Sequence, residues 1–395
     1  MYLSKKGQGI SPSPTLSIDA KYKAMLADGI DVVGFGAGEP DFDTPQNIKD
    51  AAIEAINKGF TKYTPAAGML SLKQAVCSKL KRDNGLDYVP AEIVISNGAK
   101  HSLVNAFIAI LNFGDEVIIP APFWVSYPEM VKLADGVPVY LYTKEEDNFK
   151  FTIEELEAVI TPKTRALILN SPSNPTGMIY NREELTAIAE FAVKNNIYVI
   201  SDEIYEHLIY VGGEGHISIA SLGEDIKKLT IIINGVSKSY AMTGWRIGYT
   251  ASAKEIADIM SNIQSHATSN PCSISQVAAV EALNGPQDSI PKMRAAFAER
   301  LDYMVERINS IDGVSCIRPQ GAFYVMMNIK KILGREIDGR VIETSDIFCE
   351  MLLEKAKLAL VPGVGFGAEG YVRWSYATSM EKIKEGLDRL EAFIA

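Results

Sequence analysis

Between residues 93 and 234, short apolar runs alternate with longer capped stretches, and this alternation narrows the possible folds more than any other feature of the chain. Glu92-Ile-Val-Ile-Ser96 leads into an apolar helical pattern through Leu111, and Glu116-Val-Ile-Ile119 into a segment from Trp124 to Ala134. Arg165-Ala-Leu-Ile-Leu169, Ile197-Tyr-Val-Ile200 and Leu229 to Ile233 continue the series. Apolar, largely β-branched runs of this length suit strands. Thr152 with Glu155, and Asn181 with Glu184, have the spacing of capping boxes, which start helices. Strands separated by helices pair in parallel, and a parallel sheet needs helices over both faces. The expected class is α/β, with a mostly parallel sheet flanked by helices.

The pattern changes near residue 290. A long charged helix from Pro291 to about Ile308 is expected, then a strand over Gly321-Ala-Phe-Tyr-Val-Met-Met327. A helix near Ser345 to Lys355, a strand over Tyr371-Val-Arg-Trp-Ser375 and a C-terminal helix complete a smaller α+β lobe. The first forty-odd residues are Pro- and Gly-rich and are expected to lie against one or both lobes. A chain of 395 residues is long enough for two cores. The division expected is a large domain over 46–290, with 1–45 and 291–395 forming the smaller domain and its N-terminal arm.

A net charge of −10 argues against nucleic acid as a partner, because phosphate backbones call for a basic surface. No apolar run approaches the length of a membrane span. The N-terminus lacks the apolar segment of a signal peptide, so a cytoplasmic location is expected. Cys77, Cys272, Cys316 and Cys349 form no CxxC pair. The four histidines make no HExxH motif, and no metal is expected.

Four of the expected strands end in polar loops: Ser96-Asn97-Gly98, Asn170-Ser171, Ser201-Asp202-Glu203 and Asn234-Gly235. Open α/β sheets bind ligands beyond the carboxyl ends of their strands, so these loops are candidates to converge. After the last of them comes Val236-Ser237-Lys238-Ser239, followed by Gly244-Trp245-Arg246. A lysine over a sheet edge can lose its proton and form a Schiff base with a carbonyl. An arginine among hydroxyls suits a phosphate. Gly98-Ala99-Lys100 opens a helix, where free N–H groups can hold an anion, although alone it reads as an ordinary turn. Asn174-Pro175-Thr176-Gly177 is likewise a turn in isolation, but Asn174 could donate to a phenolate oxygen. Asp202 reads either as a cap or as a partner for a pyridine nitrogen, and Tyr205 either as a core aromatic or as a hydroxyl donor. Arg373, among apolar and aromatic neighbours, needs an anion, which is either a structural carboxylate or a ligand's.

Taken together and in order, these motifs resemble the fold type I enzymes that depend on pyridoxal 5′-phosphate (PLP), specifically the class I aminotransferases. The likeness is to the bacterial aspartate aminotransferase gamma subgroup. It runs from Gly36-Ala-Gly-Glu-Pro-Asp-Phe-Asp-Thr-Pro45 to Arg373-Trp-Ser-Tyr-Ala-Thr-Ser379. The resemblance implies that Lys238 holds the cofactor, with Asp202 at the ring nitrogen and Asn174 and Tyr205 at its phenolic oxygen. Ser237, Arg246 and the Gly98-Ala99-Lys100 backbone match the phosphate site, and Trp124 the aromatic stacked on the ring. Tyr63 is similar to a tyrosine that reaches the phosphate of the neighbouring subunit, which implies a homodimer with shared active sites. Arg373 and Gly38 match contacts to the substrate α-carboxylate. Relatives often carry a hydroxyl three residues before the lysine, where this chain has Gly235.

The implied reaction is ping-pong transamination between amino acids and 2-oxo acids, most simply aspartate with 2-oxoglutarate. Lys100 matches a lysine that takes the distal carboxylate, helped by hydroxyls of Ser13 or Thr15; alone it reads as a solvated residue at a helix start. Broad-specificity, aromatic or prephenate transamination is the alternative. A PLP-dependent C–S β-lyase is a further rival. So is a regulatory protein of this fold, though such relatives carry an N-terminal DNA-binding domain that is not expected before Gly36.

Overall fold

The computed structural model describes residues 2–395. Its centre is a seven-stranded sheet in the spatial order Ile93–Ser96, Gly248–Ala251, Thr230–Gly235, Tyr198–Asp202, Thr164–Asn170, Glu116–Ala121, Val137–Tyr142. Only Gly248–Ala251 runs antiparallel to its neighbours. The pleat explains why these strands are apolar throughout. Val117, Ile119, Ile168, Ile200, Ile231 and Ile233 pack on one face with Leu103, Phe107 and Met260. Ile118, Leu167, Leu169 and Val199 pack on the other with Leu156, Leu185 and Phe191. Each such side chain contributes about 1.5–3 kcal/mol on burial, so both helical layers are held by the sheet they cover. The parallel register sets Asn170 opposite Asp202, and Asp202 opposite Ile233, along one edge of the sheet.

Both capping boxes form: Thr152 Oγ1 accepts from the Glu155 N–H at 3.3 Å and Asn181 Oδ1 from the Glu184 N–H at 2.9 Å. Two strands depart from the sequence-based expectation. Val137–Tyr142 contains Pro138, which a ladder tolerates because this strand is at the sheet's edge and pairs on one side only. Gly248–Ala251 is a four-residue strand led by glycine, and the chain passes within van der Waals range of it at Gly235.

A three-stranded antiparallel sheet, Val361–Pro362, Tyr371–Ser375 and Tyr324–Asn328, lies with the helices Ser289–Ser310 and Met380–Ile394. The strand near residue 324 starts later than the sequence suggests because Gly321–Phe323 form a tight approach: a Cβ on Gly321 would lie 2.7 Å from Pro172. The helix from Ser345 is α-helical to Met351 and continues as a π turn over Leu352–Ala356. The N-terminal residues are more regular than their Pro and Gly content indicates, with helices Lys5–Gln8 and Pro14–Ala27. Val33–Gly34 pairs in parallel with Leu358–Ala359, and the Phe35 ring packs, tilted, 4.7 Å from the Trp374 ring. Ile204 and Tyr205, just past the end of the Tyr198–Asp202 strand, join this same apolar cluster with Phe297, Phe323 and Trp374. The large sheet's carboxyl edge therefore abuts the second core.

Candidate active site

A cavity of about 540 Å³ opens at that edge, and four strand ends feed it: Ala99 and Lys100, Asn170 and Asn174, Asp202, and Ser237 with Lys238. The convergence expected from the polar loops is present. Trp124, Tyr205, Arg246 and Arg373 also line it, as do Gly38, Ser13 and Thr15.

Lys238 and Asp202 face this cavity with unusual acidities. Burial pulls the Lys238 ammonium down to about 8, with Glu39 opposing and Arg246 and Arg373 adding to the shift. Its Nζ donates to the Gly38 carbonyl. Burial pushes the Asp202 carboxyl up to about 6, although the Tyr127 hydroxyl donates to Oδ2 at 2.7 Å and the Ile204 N–H to Oδ1 at 3.3 Å. Among the described residues Asp202 makes no salt bridge, and the charge of Lys238 opposes its burial less than either of these two donors. The amine, in turn, is available unprotonated near neutrality, as a nucleophile or a base must be.

Across the cavity, the helix Ala99–Ile110 presents its N-terminus. Gly98 precedes it at φ +87°, and a Cβ there would run into the Arg246 guanidinium. Arg246 itself is left-handed, at φ +57°. Its Nη1 donates to the Thr243 carbonyl at 2.9 Å and Nη2 to the Asn97 carbonyl at 3.3 Å. Free helix N–H groups, a guanidinium and the nearby Ser237 thus meet where only glycine leaves space. Lys100 lies 4.9 Å over the Trp124 ring, and burial together with Arg246 lowers its pKa. An anion beside Lys100 and Arg246 would relieve this mutual repulsion.

Arg373 is buried between the rings of Tyr324 and Phe366, at 4.4 and 4.9 Å. Its Nη1 donates to Asn174 Oδ1 at 3.0 Å and Nη2 to the Gly36 carbonyl at 2.9 Å, while Nε is buried with no acceptor. Among the described residues it pairs with no carboxylate, so the structural ion pair that its sequence context allowed is not made. Asn174, with its oxygen taken by Arg373, keeps its amide nitrogen free to donate. The Tyr205 hydroxyl is 3.1 Å from that of Tyr324.

The chain matches the model of the family "Aminotransferase class I and II" over residues 30–390. It is 53% identical over 392 residues to an aspartate aminotransferase of Bacillus sp. strain YM-2, covering 99% of both chains. It is 48% identical to an aspartate/prephenate aminotransferase of Nitrosomonas europaea, covering 100% of both. The crystal structure of an aspartate aminotransferase from Rhizobium meliloti superposes with a TM-score of 0.96 at 44% identity, covering 100% of this chain and 99% of that one. The chain belongs to the class I and II aminotransferases.

Enzymes of this family use pyridoxal phosphate, and the residues of this aminotransferase fit that cofactor. The cradle at Gly98 admits a phosphate beside Arg246, and Asp202 lacks the cation that a pyridine N–H would supply. At Gly235 a Cβ would lie 2.8 Å from the Ile247 carbonyl oxygen, so a hydroxyl-bearing side chain could not enter there without displacing the neighbouring chain.

Tyr63 stands apart: it is 90% exposed and does not line the cavity of its own chain. The sequence singled out no metal-binding histidine, yet the fold brings His216 together with Glu203 and Glu206, their ligand-type atoms within 4.8 Å. That cluster already holds a cation, because the Lys79 ammonium contacts Glu206. Tyr127, Tyr324 and Glu39 were missed by sequence reasoning. Tyr127 belongs to Pro122-Phe-Trp-Val-Ser-Tyr127, whose aromatics were a usable signal; Tyr324 sits in an apolar strand that offers none.

Proposed function

We propose that this aminotransferase transfers the amino group of aspartate to 2-oxoglutarate, giving oxaloacetate and glutamate by a ping-pong mechanism. Relatives named aspartate aminotransferase across their full length support the reading. The observation in the molecule that carries it is the set of cations lining one cavity: Arg373, with an unpartnered Nε, Lys100 and Lys238. An α-carboxylate would complete Arg373 through a charge-assisted, forked contact, with Gly38 beside it. A second carboxylate would answer Lys100, with the hydroxyls of Ser13 and Thr15, themselves 3.0 Å apart, at the cavity wall.

In this proposal Ser237, Arg246 and the N–H groups of Gly98, Ala99 and Lys100 hold the cofactor phosphate. Asp202 faces the ring nitrogen, Asn174 and Tyr205 the phenolic oxygen, and Trp124 the ring face. Bound pyridoxal phosphate supplies an electron sink for the charge left when the substrate Cα–H bond breaks. Lys238 Nζ accepts the Cα proton and later returns it, and an amine held near 8 can do both at neutral pH. Asp202, kept anionic by a cation at the ring nitrogen, holds a proton on that nitrogen. Arg373, fixed by Asn174 and Gly36, orients the substrate so that its Cα hydrogen points at Lys238.

The same proposal assigns residues 46–290 to a cofactor-binding domain, and 1–45 with 291–395 to a smaller one. The pairing of Val33–Gly34 with Leu358–Ala359 supports grouping the two ends of the chain. It also makes the protein a homodimer in which the exposed Tyr63 serves the partner's phosphate site, and it places the enzyme in the cytoplasm. No helix among the described residues is long and apolar enough to cross a membrane.

Transfer to prephenate is the second reading, favoured by the name of the Nitrosomonas relative. Lys100→Ala tests the dicarboxylate assignment. Losing a charge-assisted contact costs about 1.5–3 kcal/mol, so kcat/KM for aspartate should fall roughly ten- to a hundredfold while alanine is nearly unaffected. An equal loss for every donor would assign Lys100 to the phosphate or to structure instead.

A further inference from the structure

Among residues that do not line the cavity, two opposite charges are sealed in the protein. Lys79, on the helix Leu70–Asn84, is 1% exposed and Glu206 is 6% exposed. The Lys79 ammonium contacts Glu206 Oε1 and donates to Asn84 Oδ1 at 2.8 Å. Glu206 Oε1 also accepts from Asn234 Nδ2 at 2.7 Å, and Oε2 accepts from Asn84 Nδ2 at 3.0 Å. Burial alone would raise the Glu206 carboxyl, but Lys79 with His207 and His216 overcomes it and holds the group well below the usual carboxylate range. His207 Nε2 lies 3.7 Å from both Glu206 and Asp83, so titratable groups flank the pair beside the two asparagines.

A buried ion pair contributes little net stability compared with apolar side chains of the same volume, so its presence asks what it specifies. Its connections give the answer. Glu206 directly follows Tyr205. Asn234 is the last residue but one of the strand Thr230–Gly235, which leads to Ser237 and Lys238, and its Oδ1 accepts from the Gly235 N–H at 2.7 Å. With glycine at 235, Asn234 provides the last side-chain hydrogen bond before Lys238 among the described residues. The carboxylate therefore joins the two segments that deliver Tyr205 and Lys238, through groups that do not themselves line the cavity.

We propose that Glu206, with its charge balanced by Lys79, is a positioning residue that sets Lys238 relative to Asp202 and Tyr205 through Asn234. The proposal rests on the aminotransferase reading of the cavity. Its test compares two charge-neutral replacements in the holoenzyme. Lys79→Met with Glu206→Gln keeps an acceptor for the Asn234 amide, whereas Lys79→Met with Glu206→Leu removes it. Three quantities are read for each: the thermal midpoint, kcat and KM for aspartate, and the pH midpoint of the bound-cofactor absorbance in the absence of substrate. The Leu variant should melt within a few degrees of wild type. It should lose about tenfold or more in kcat with KM little changed, as misplacement of a proton-transferring group predicts. Its absorbance midpoint should move by about half a pH unit, reflecting a changed environment at the lysine. The Gln variant should recover most of both. Asn234→Ala, which leaves the ion pair intact and removes the tie together with the Asn234 contact to the Gly235 N–H, should reproduce the Leu variant, and it carries the test if the Leu variant does not fold. Unchanged kcat and an unmoved midpoint in Asn234→Ala, or identical behaviour of the Gln and Leu variants, would overturn the proposal. Absence of transamination in the wild-type protein would instead overturn the reading on which it rests.

Discussion

Lys238 and Asp202 carry opposite penalties from the same burial, and each is relieved by what the cavity is built to take. The Asp202 carboxyl is raised from 3.8 to about 6. Between those two values the cofactor-free folded protein binds a proton that the unfolded chain does not. Its stability therefore falls as pH rises through that window, and the cost is complete above pH 6. Two units correspond to about 3 kcal/mol at most. Asp202→Asn carries no such cost. In the cofactor-free protein, the stability of Asp202→Asn relative to wild type should thus rise by about 1–3 kcal/mol between pH 4 and pH 7. Denaturant titrations at the two pH values check this, and a flat difference would mean that Asp202 ionises freely. The same variant should lose nearly all transamination, so stability and activity move in opposite directions at one residue. The sequence marked both groups because each follows a strand end. It did not show the Tyr127 hydroxyl on Asp202, or Asn174 on Arg373, which join residues 75 and 199 positions apart with no periodic trace.

At the scale of elements, the site depends on where strands stop. Five strands of the large sheet were readable from apolar runs, since burial on both faces leaves only one composition. Val137–Tyr142 and Gly248–Ala251 were not, because a proline in one and a leading glycine in the other read as loop. The N-terminal helix Pro14–Ala27 was also hidden: it buries no residue, so it has no apolar stripe to betray it. The helix at Ala99 is the element whose start matters most. Gly98 sits at φ +87° and ψ 161°, a region that residues with a Cβ avoid at a cost of about 1–3 kcal/mol. The added Cβ would also displace Arg246. Gly98→Ala should therefore weaken cofactor affinity roughly ten- to a hundredfold while leaving the far end of the helix intact. Equilibrium dialysis of pyridoxal phosphate measures it, and unchanged affinity would remove Gly98 and Arg246 from the phosphate site.

The whole molecule places its reactive groups where two cores meet, with Tyr205 packed into one and Asp202 ending a strand of the other. Tyr63, exposed and remote from its own cavity, is accounted for if a second copy covers it. Mixing Tyr63→Phe subunits with Lys238→Ala subunits then produces hybrids with one site bearing both lesions and one bearing neither. Activity should rise on mixing above the sum of the two parents. A fully active monomer in sedimentation at assay concentration would contradict shared sites. The central claim, that the cavity moves an amino group and ends with that group on the enzyme, is tested most directly by a half-reaction. Purified holoenzyme is mixed with L-aspartate and no acceptor, and the cofactor absorbance and released products are followed together. The account predicts loss of the absorbance band with about one oxaloacetate per subunit, no free ammonia, and recovery of the band when 2-oxoglutarate is added. Continuous release of ammonia without any acceptor, or a band that aspartate leaves untouched, would contradict it.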